Sequence, residues 1–351
     1  MNNLKTKTRL TYIDIARGIA ILLVVIGHIN QFYRNNLGIS NPQILSFIYT
    51  FHIPLFFIIS GMLFSEKSFK DVSFTKFLLK KIKTLIVPYL FLDITGGLFN
   101  VAVYSDLNLI NIKNVVINTL TLHCNIGANW FISALFIGEI VLYFFMKYYM
   151  SIYKYAAWIP FLLINLFYPF SHWINIAVRG VIAFTFILLG YYLKEFFKSD
   201  LNKRWYMILI SLVITYMVSN FNGQIDVWGS TICNPFLCVL GGLAGSYAVI
   251  GISKLITSKL LVFIGQNTMT VMGTHMLLIF FIWPLLSKSV FAVFPSLTTS
   301  AVGAILFFTI VIAVDLPIMY LYDRFIPFLI GKPSKPVVKE KEAVKSVQDI
   351  A

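Results

Sequence analysis

A chain of 351 residues that is 58% hydrophobic, 16% aromatic and only 12% charged, with a mean hydropathy of +0.82, is too apolar for a water-soluble globule. It reads as an all-α, polytopic membrane protein. The formal net charge of +14 needs no nucleic-acid partner, because lysines that flank apolar runs meet anionic lipid head groups and set topology.

The first apolar run, residues 13–33, is not a cleaved signal peptide. It is long, carries Arg17 and His28, and continues into Asn30, Gln31 and Arg34 without a small-residue cleavage pattern. Further windows of spanning length predict helices at 44–64, 84–104, 130–149, 155–170, 176–193, 205–220, 233–252, 263–286 and 300–322, about ten in all. The fifth and seventh are short.

Basic residues then orient the bundle. With ten spans, Lys5, Lys7 and Arg9, the lysines from Lys67 to Lys83, and those around 147–154, 194–204, 254–259 and 324–345 all fall on one side. Only Arg34, Lys113 and Lys288 fall on the other. That asymmetry predicts that both termini are cytoplasmic. Residues 1–330 read as one membrane domain, and 331–351, with Pro333, Pro336 and mixed Lys and Glu, as a solvated cytoplasmic tail.

Ionisable side chains inside apolar spans are costly and mark sites by default. Asp14, Arg17 and His28 share the first helix. Arg17 and His28 are eleven residues apart, which places them on roughly one face and about 16 Å apart along the axis. Asp14 is spaced to pair with Arg17. His52 sits on the second predicted helix, Glu139 mid-depth on the fourth, Arg179 toward the outer side of the sixth and His275 mid-depth on the ninth. Their depths suggest one shared cavity. Asp93 and Asp315 read as inner-half helix contacts. His123 beside Cys124 makes no zinc pattern, Cys233 and Cys238 carry little, and no metal site is expected. Gly241, Gly242 and Gly245 read as close helix packing in lipid.

The stretch Tyr12-Ile13-Asp14-Ile15-Ala16-Arg17-Gly18, followed by Gly27-His28, resembles the opening of the acyltransferase-3 family of bacterial membrane O-acyltransferases, with its Arg, ten residues, His signature. Four further elements agree in order over residues 9–322. They are Ser60-Gly61, the basic segment Lys80-Lys81-Ile82-Lys83 with Pro88-Tyr89, Trp130-Phe131-Ile132, and Gly265-Gln266-Asn267-Thr268 with His275. Lys replaces the Arg that many members carry at positions like 80 and 83, which favours charge attraction over bidentate phosphate gripping.

The resemblance implies transfer of an acyl group, usually acetyl from acetyl-CoA, to a sugar hydroxyl of a cell-surface glycan or its lipid-linked precursor at the bacterial inner membrane. On that reading Arg17, Lys80 and Lys83, with Ser60, meet the anionic donor. His28 reaches the thioester, either as general base toward the acceptor hydroxyl or as a nucleophile forming an acyl-histidine. Glu139 orients an imidazole or the sugar, and His52 and His275 line the cavity or meet the oxyanion. Trp130 and Arg179 are candidate acceptor contacts, each with an interfacial alternative. No metal or nucleic acid is implied; membrane lipids are, and a homo-oligomer is left open. The rival from another class is a secondary transporter or flippase, which would show matching broken helices in two halves. The chain shows no such correspondence.

Overall fold

The computed structural model describes residues 10–39, 41–149, 158–164 and 170–333. Among them, nine helices are long and apolar enough to cross a membrane. These are α1 (Thr11–Leu37), α2 (Pro42–Leu63), α3 (Phe74–Tyr104), α4 (Gly127–Tyr148), α5 (His172–Tyr192), α6 (Trp205–Asn222), α7 (Pro235–Leu255), α8 (Thr268–Val293) and α9 (Ala301–Phe325). The fifth predicted span, 155–170, lies largely outside the described residues. Its described part is a single turn, Ile159–Leu162.

Two boundaries differ from the hydropathy reading for local reasons. α3 begins at Phe74, ahead of its apolar stretch, because Phe77 and Leu85 are buried while Lys76, Lys80 and Lys83 face outward. Within α3, Pro88 has no N–H for the carbonyl of Thr84, and the helix widens to a π-turn at Ile82–Ile86 just before it. The ninth predicted span is broken at Asn267, whose side-chain amide donates to the Phe263 carbonyl at 2.8 Å and competes with the helix ladder. A short helix, Lys259–Gln266, therefore precedes α8.

That short helix is pressed onto α1 by two glycines. A Cβ on Gly18 would stand 2.4 Å from the Leu261 carbonyl oxygen, and one on Gly265 would stand 1.8 Å from that of Asp14. α2 meets α5 in the same way: Gly61 faces the Ile187 carbonyl and Gly190 that of Ile58. Without a hydrophobic drive in lipid, such backbone approach is what holds helices together. Gly241 packs on Thr50 and Gly245 on Phe51, so the predicted packing role of this glycine group in α7 is observed, against α2. α1 and α2 thus form the centre of the bundle, where the ionisable residues lie.

Candidate active site

Two larger cavities enter the bundle. The larger, about 550 Å³, is at the lysine-rich end and is lined by Arg17 on α1, Ser60 on α2, Glu139 on α4 and Lys332 just after α9. The smaller, about 280 Å³, lies toward the other end and is lined by His28 and Gln31 on α1, Tyr49 and His52 on α2, and Trp130 on α4. Phe131 and Met272 line both. Phe131 is fixed by stacking on Phe57 at 5.0 Å between ring centroids. Met272, unbranched and flexible, is the adaptable half of the partition.

Arg17 and His28 open into different cavities, as their separation along α1 requires. Asp14 is buried at the first turns of α1 and accepts from the Gln266 amide at 3.2 Å, a contact created by the glycine-packed short helix. Gln31, one turn beyond His28, lines the same cavity. His275 does not line the His28 cavity. It stands behind His28, with ring centroids 5.2 Å apart, and is fully buried. His275 Nδ1 donates to the Val271 carbonyl, and His52 Nδ1 donates to the Ile48 carbonyl at 2.7 Å. A carbonyl only accepts, so Nδ1 carries the proton in both rings and Nε2 is left as the acceptor nitrogen.

Glu139 departs from the expected grouping with the histidines. Its Oε1 accepts from Ser60 Oγ at 2.6 Å and its Oε2 pairs with Lys81 Nζ at 2.7 Å, all on the Arg17 side of the partition. The polar groups therefore serve two cavities rather than one. Among the three lysines of the basic segment, Lys81 turns inward, packed over the rings of Phe64 and Phe77. Lys80 and Lys83 are exposed and do not line the cavity. Successive helical positions diverge by about 100°, so turning Lys81 toward α4 directs its neighbours away. Lys332 supplies the cation that the motif reading missed. It bridges Asn267 Oδ1 and Asp323 Oδ1, each at 2.7 Å. Its sequence position, past the last span, marks it only as a topology charge.

The far cavity has a roof that hydropathy does not reveal. Residues 224–228, between α6 and α7, place Gln224, Asp226 and Trp228 over His28 and His52. Arg179 is buried against this loop. Its guanidinium stacks 4.0 Å from the Trp228 ring and its Nε donates to the Trp228 carbonyl at 2.8 Å. It lies 5.7 Å from the Trp130 ring. Arg179 thus positions two cavity walls without lining the cavity itself.

Asp93 also differs from its sequence reading. Fully buried on α3, it accepts from the backbone N–H groups of Asn125 and Ile126 and from the side chains of Thr119, Asn125 and Asn129. It anchors the segment that delivers Trp130 to the far cavity, so it belongs to that half of the bundle. Asp315, on α9, accepts from Thr274 Oγ1 at 2.7 Å. Cys124 in the same segment has its thiol pushed up to about 12 by burial and by the nearby Asp93 charge. Burial of this kind disfavours the thiolate. Among the described residues no cluster of three His, Cys, Asp or Glu is arranged to hold a metal.

The arrangement supplies a cation-lined cavity at one end and an imidazole-lined one at the other. The chain matches the acyltransferase domain family (Acyl_transf_3) over residues 10–321. It belongs to the acyltransferase-3 family. This multi-pass membrane protein is similar to nodulation protein NolL of Mesorhizobium japonicum, 34% identical over 140 residues, which are 39% of this chain and 36% of the relative. It is also similar to nodulation protein NolL of Sinorhizobium fredii, 39% identical over 80 residues, 22% of each chain. The chain thus spans about a third or less of the length of these curated relatives. No solved structure matches it.

Proposed function

We propose that the protein takes an acetyl group from acetyl-CoA, bound from the cytoplasmic face, and transfers it to a hydroxyl of a surface polysaccharide or its lipid-linked precursor. The observation that carries this reading is the pair of cavities on one face of α1, with Arg17 in one, His28 in the other, and Phe131 and Met272 shared between them. The donor's phosphates meet Arg17 and Lys332 in the larger cavity. Its pantetheine arm passes the partition along the roughly 16 Å from Arg17 to His28.

At the far end His28 acts as general base. A neutral imidazole nitrogen takes the proton as the acceptor oxygen attacks the thioester carbonyl. The C–S bond then breaks, and the proton passes from the imidazolium to the departing thiolate, leaving the ester and free CoA. His275, held behind His28, sets the ring's position, and His52 and Trp130 form the acceptor side. His275 Nε2 has no hydrogen-bond partner among the described residues, so what supports this positioning role is the packing of the two rings, 5.2 Å apart between centroids.

The test uses membranes supplied with labelled acetyl-CoA and analysed for acylated glycan. His28→Ala should lose at least a hundredfold in transfer at unchanged protein level, the usual scale for a missing general base. Arg17→Ala should weaken CoA binding while the protein still folds. Transfer by His28→Ala at the wild-type rate would remove His28 from the chemistry.

A further inference from the structure

A third cavity, about 190 Å³, leaves the His28 chamber sideways. His28, Gln31 and Met276 line both spaces. Beyond them the cavity is walled only by α1 and α8, with Asn35 and Asn36 on one side and Ile279 and Phe280 on the other. Among the described residues, no third helix contributes to its lining. Asn35 and Asn36 are exposed near the end of α1, and Phe280 is 44% exposed on a helix of spanning length. The space is therefore a cleft in the flank of the bundle, polar where α1 nears its end and apolar along α8.

Two routes reach His28 from outside. The route along the bundle axis is roofed by residues 224–228, with Trp228 clamped by Arg179. The flank route is lined instead by Gln31, Phe32 and Asn35 of α1 and by Phe280 of α8. A soluble glycan needs no apolar wall beside its path, whereas an amphiphile needs polar partners at head-group level and apolar ones below. Amide side chains are suited to sugar hydroxyls because each amide both donates and accepts.

We propose that the acceptor is a lipid-anchored glycan that reaches His28 from within the bilayer, through the cleft between α1 and α8. The sugar passes Asn35 and Gln31, and the lipid stays outside against Phe280. This inference rests on the acyl-transfer reading above and narrows its acceptor to the membrane-bound class.

The experiment reconstitutes the full chain in liposomes with labelled acetyl-CoA and two acceptor preparations from the source cells. One is the extracted lipid-linked glycan fraction; the other is the same fraction after mild-acid release of the lipid. The wild type should acetylate the first with a KM at least about tenfold lower than the second. Asn35→Trp, which narrows the mouth from an exposed position, should raise the KM for the lipid-linked fraction about tenfold, with kcat and CoA binding unchanged. A photoreactive residue at position 280 should crosslink to the lipid-linked fraction and not to the released one.

Equal KM values for the two preparations would overturn the proposal. So would an equal effect of Asn35→Trp on both, which would make the cleft a water inlet or a packing feature. Transfer to neither preparation would overturn the acceptor class of the proposed function as well. Crosslinking at position 280 reads the cleft without any turnover, so the two failures are distinguishable.

Discussion

Glu139 is a carboxylate in a cavity assigned to an anionic donor, and its partners explain why that is tolerable. Lys81 pairs with it and Ser60 donates to it, so the cavity faces a neutral pair rather than a bare negative charge. Removing one partner of a buried pair costs about 3–5 kcal/mol, whereas replacing both with apolar groups is often near neutral. Glu139→Ala should therefore lower thermal stability substantially, and Glu139→Leu with Lys81→Met should recover most of it. If the pair is structural, the double variant also recovers transfer. If Lys81 assists the donor, CoA binding stays weak in a protein that melts normally. A double-mutant cycle on melting and on CoA binding separates these outcomes. The same contrast shows what was legible from single residues. Arg17 and His28 announce themselves because charge and imidazole have no cheap place in an apolar run. Lys81 and Lys83 carry identical chemistry, and only the direction of α3 relative to α4 decides which one turns inward. Lys332 lies past the last span, and Trp228 and Asp226 lie between two spans, where a hydropathy profile records nothing.

At the level of helices, apolar length was enough to place the described spans, and it failed where a side chain interrupts the ladder. Asn267 splits a continuous apolar run because its amide prefers the Phe263 carbonyl, and hydropathy carries no record of that preference. The glycines that dock helices are visible in sequence, but their partners are not, since Gly61 and Ile187 are brought together only by the fold. A methyl group at Gly61 would meet the Ile187 carbonyl oxygen at 2.0 Å and the Tyr191 nitrogen at 2.8 Å. Both are backbone atoms and cannot swing aside. Gly61→Ala must therefore pry α2 from α5, at a cost of about 1–3 kcal/mol or more. The expected result is a sharp fall in folded yield and melting temperature in detergent. Gly127 is the matched control, because a Cβ there finds only the Met276 methyl at 3.9 Å. Gly127→Ala should fold like the wild type. Equal behaviour of the two variants would show that the close approach of α2 and α5 does not support the bundle.

Over the whole molecule, a transferase that joins two aqueous or interfacial compartments must pass an acyl group without becoming a leak. Phe131 and Met272 are the side chains common to the linings of both cavities. Phe131 is braced by the rings of Phe56 and Phe57, while Met272 has the more flexible side chain. The passage should therefore be set by residue 272. Met272→Phe, stiffer and bulkier, should leave CoA binding in the Arg17 cavity within about twofold of the wild type and cut transfer about tenfold or more, a split that marks a block after donor binding. Met272→Ala should widen the passage, retaining CoA binding and raising thioester hydrolysis in the absence of glycan, because water then reaches the carbonyl beside His28. Binding is read by titration with CoA, transfer and hydrolysis by release of labelled acetyl. If Met272→Phe transfers at the wild-type rate, the donor does not cross between Phe131 and Met272, and the two cavities do not form one path.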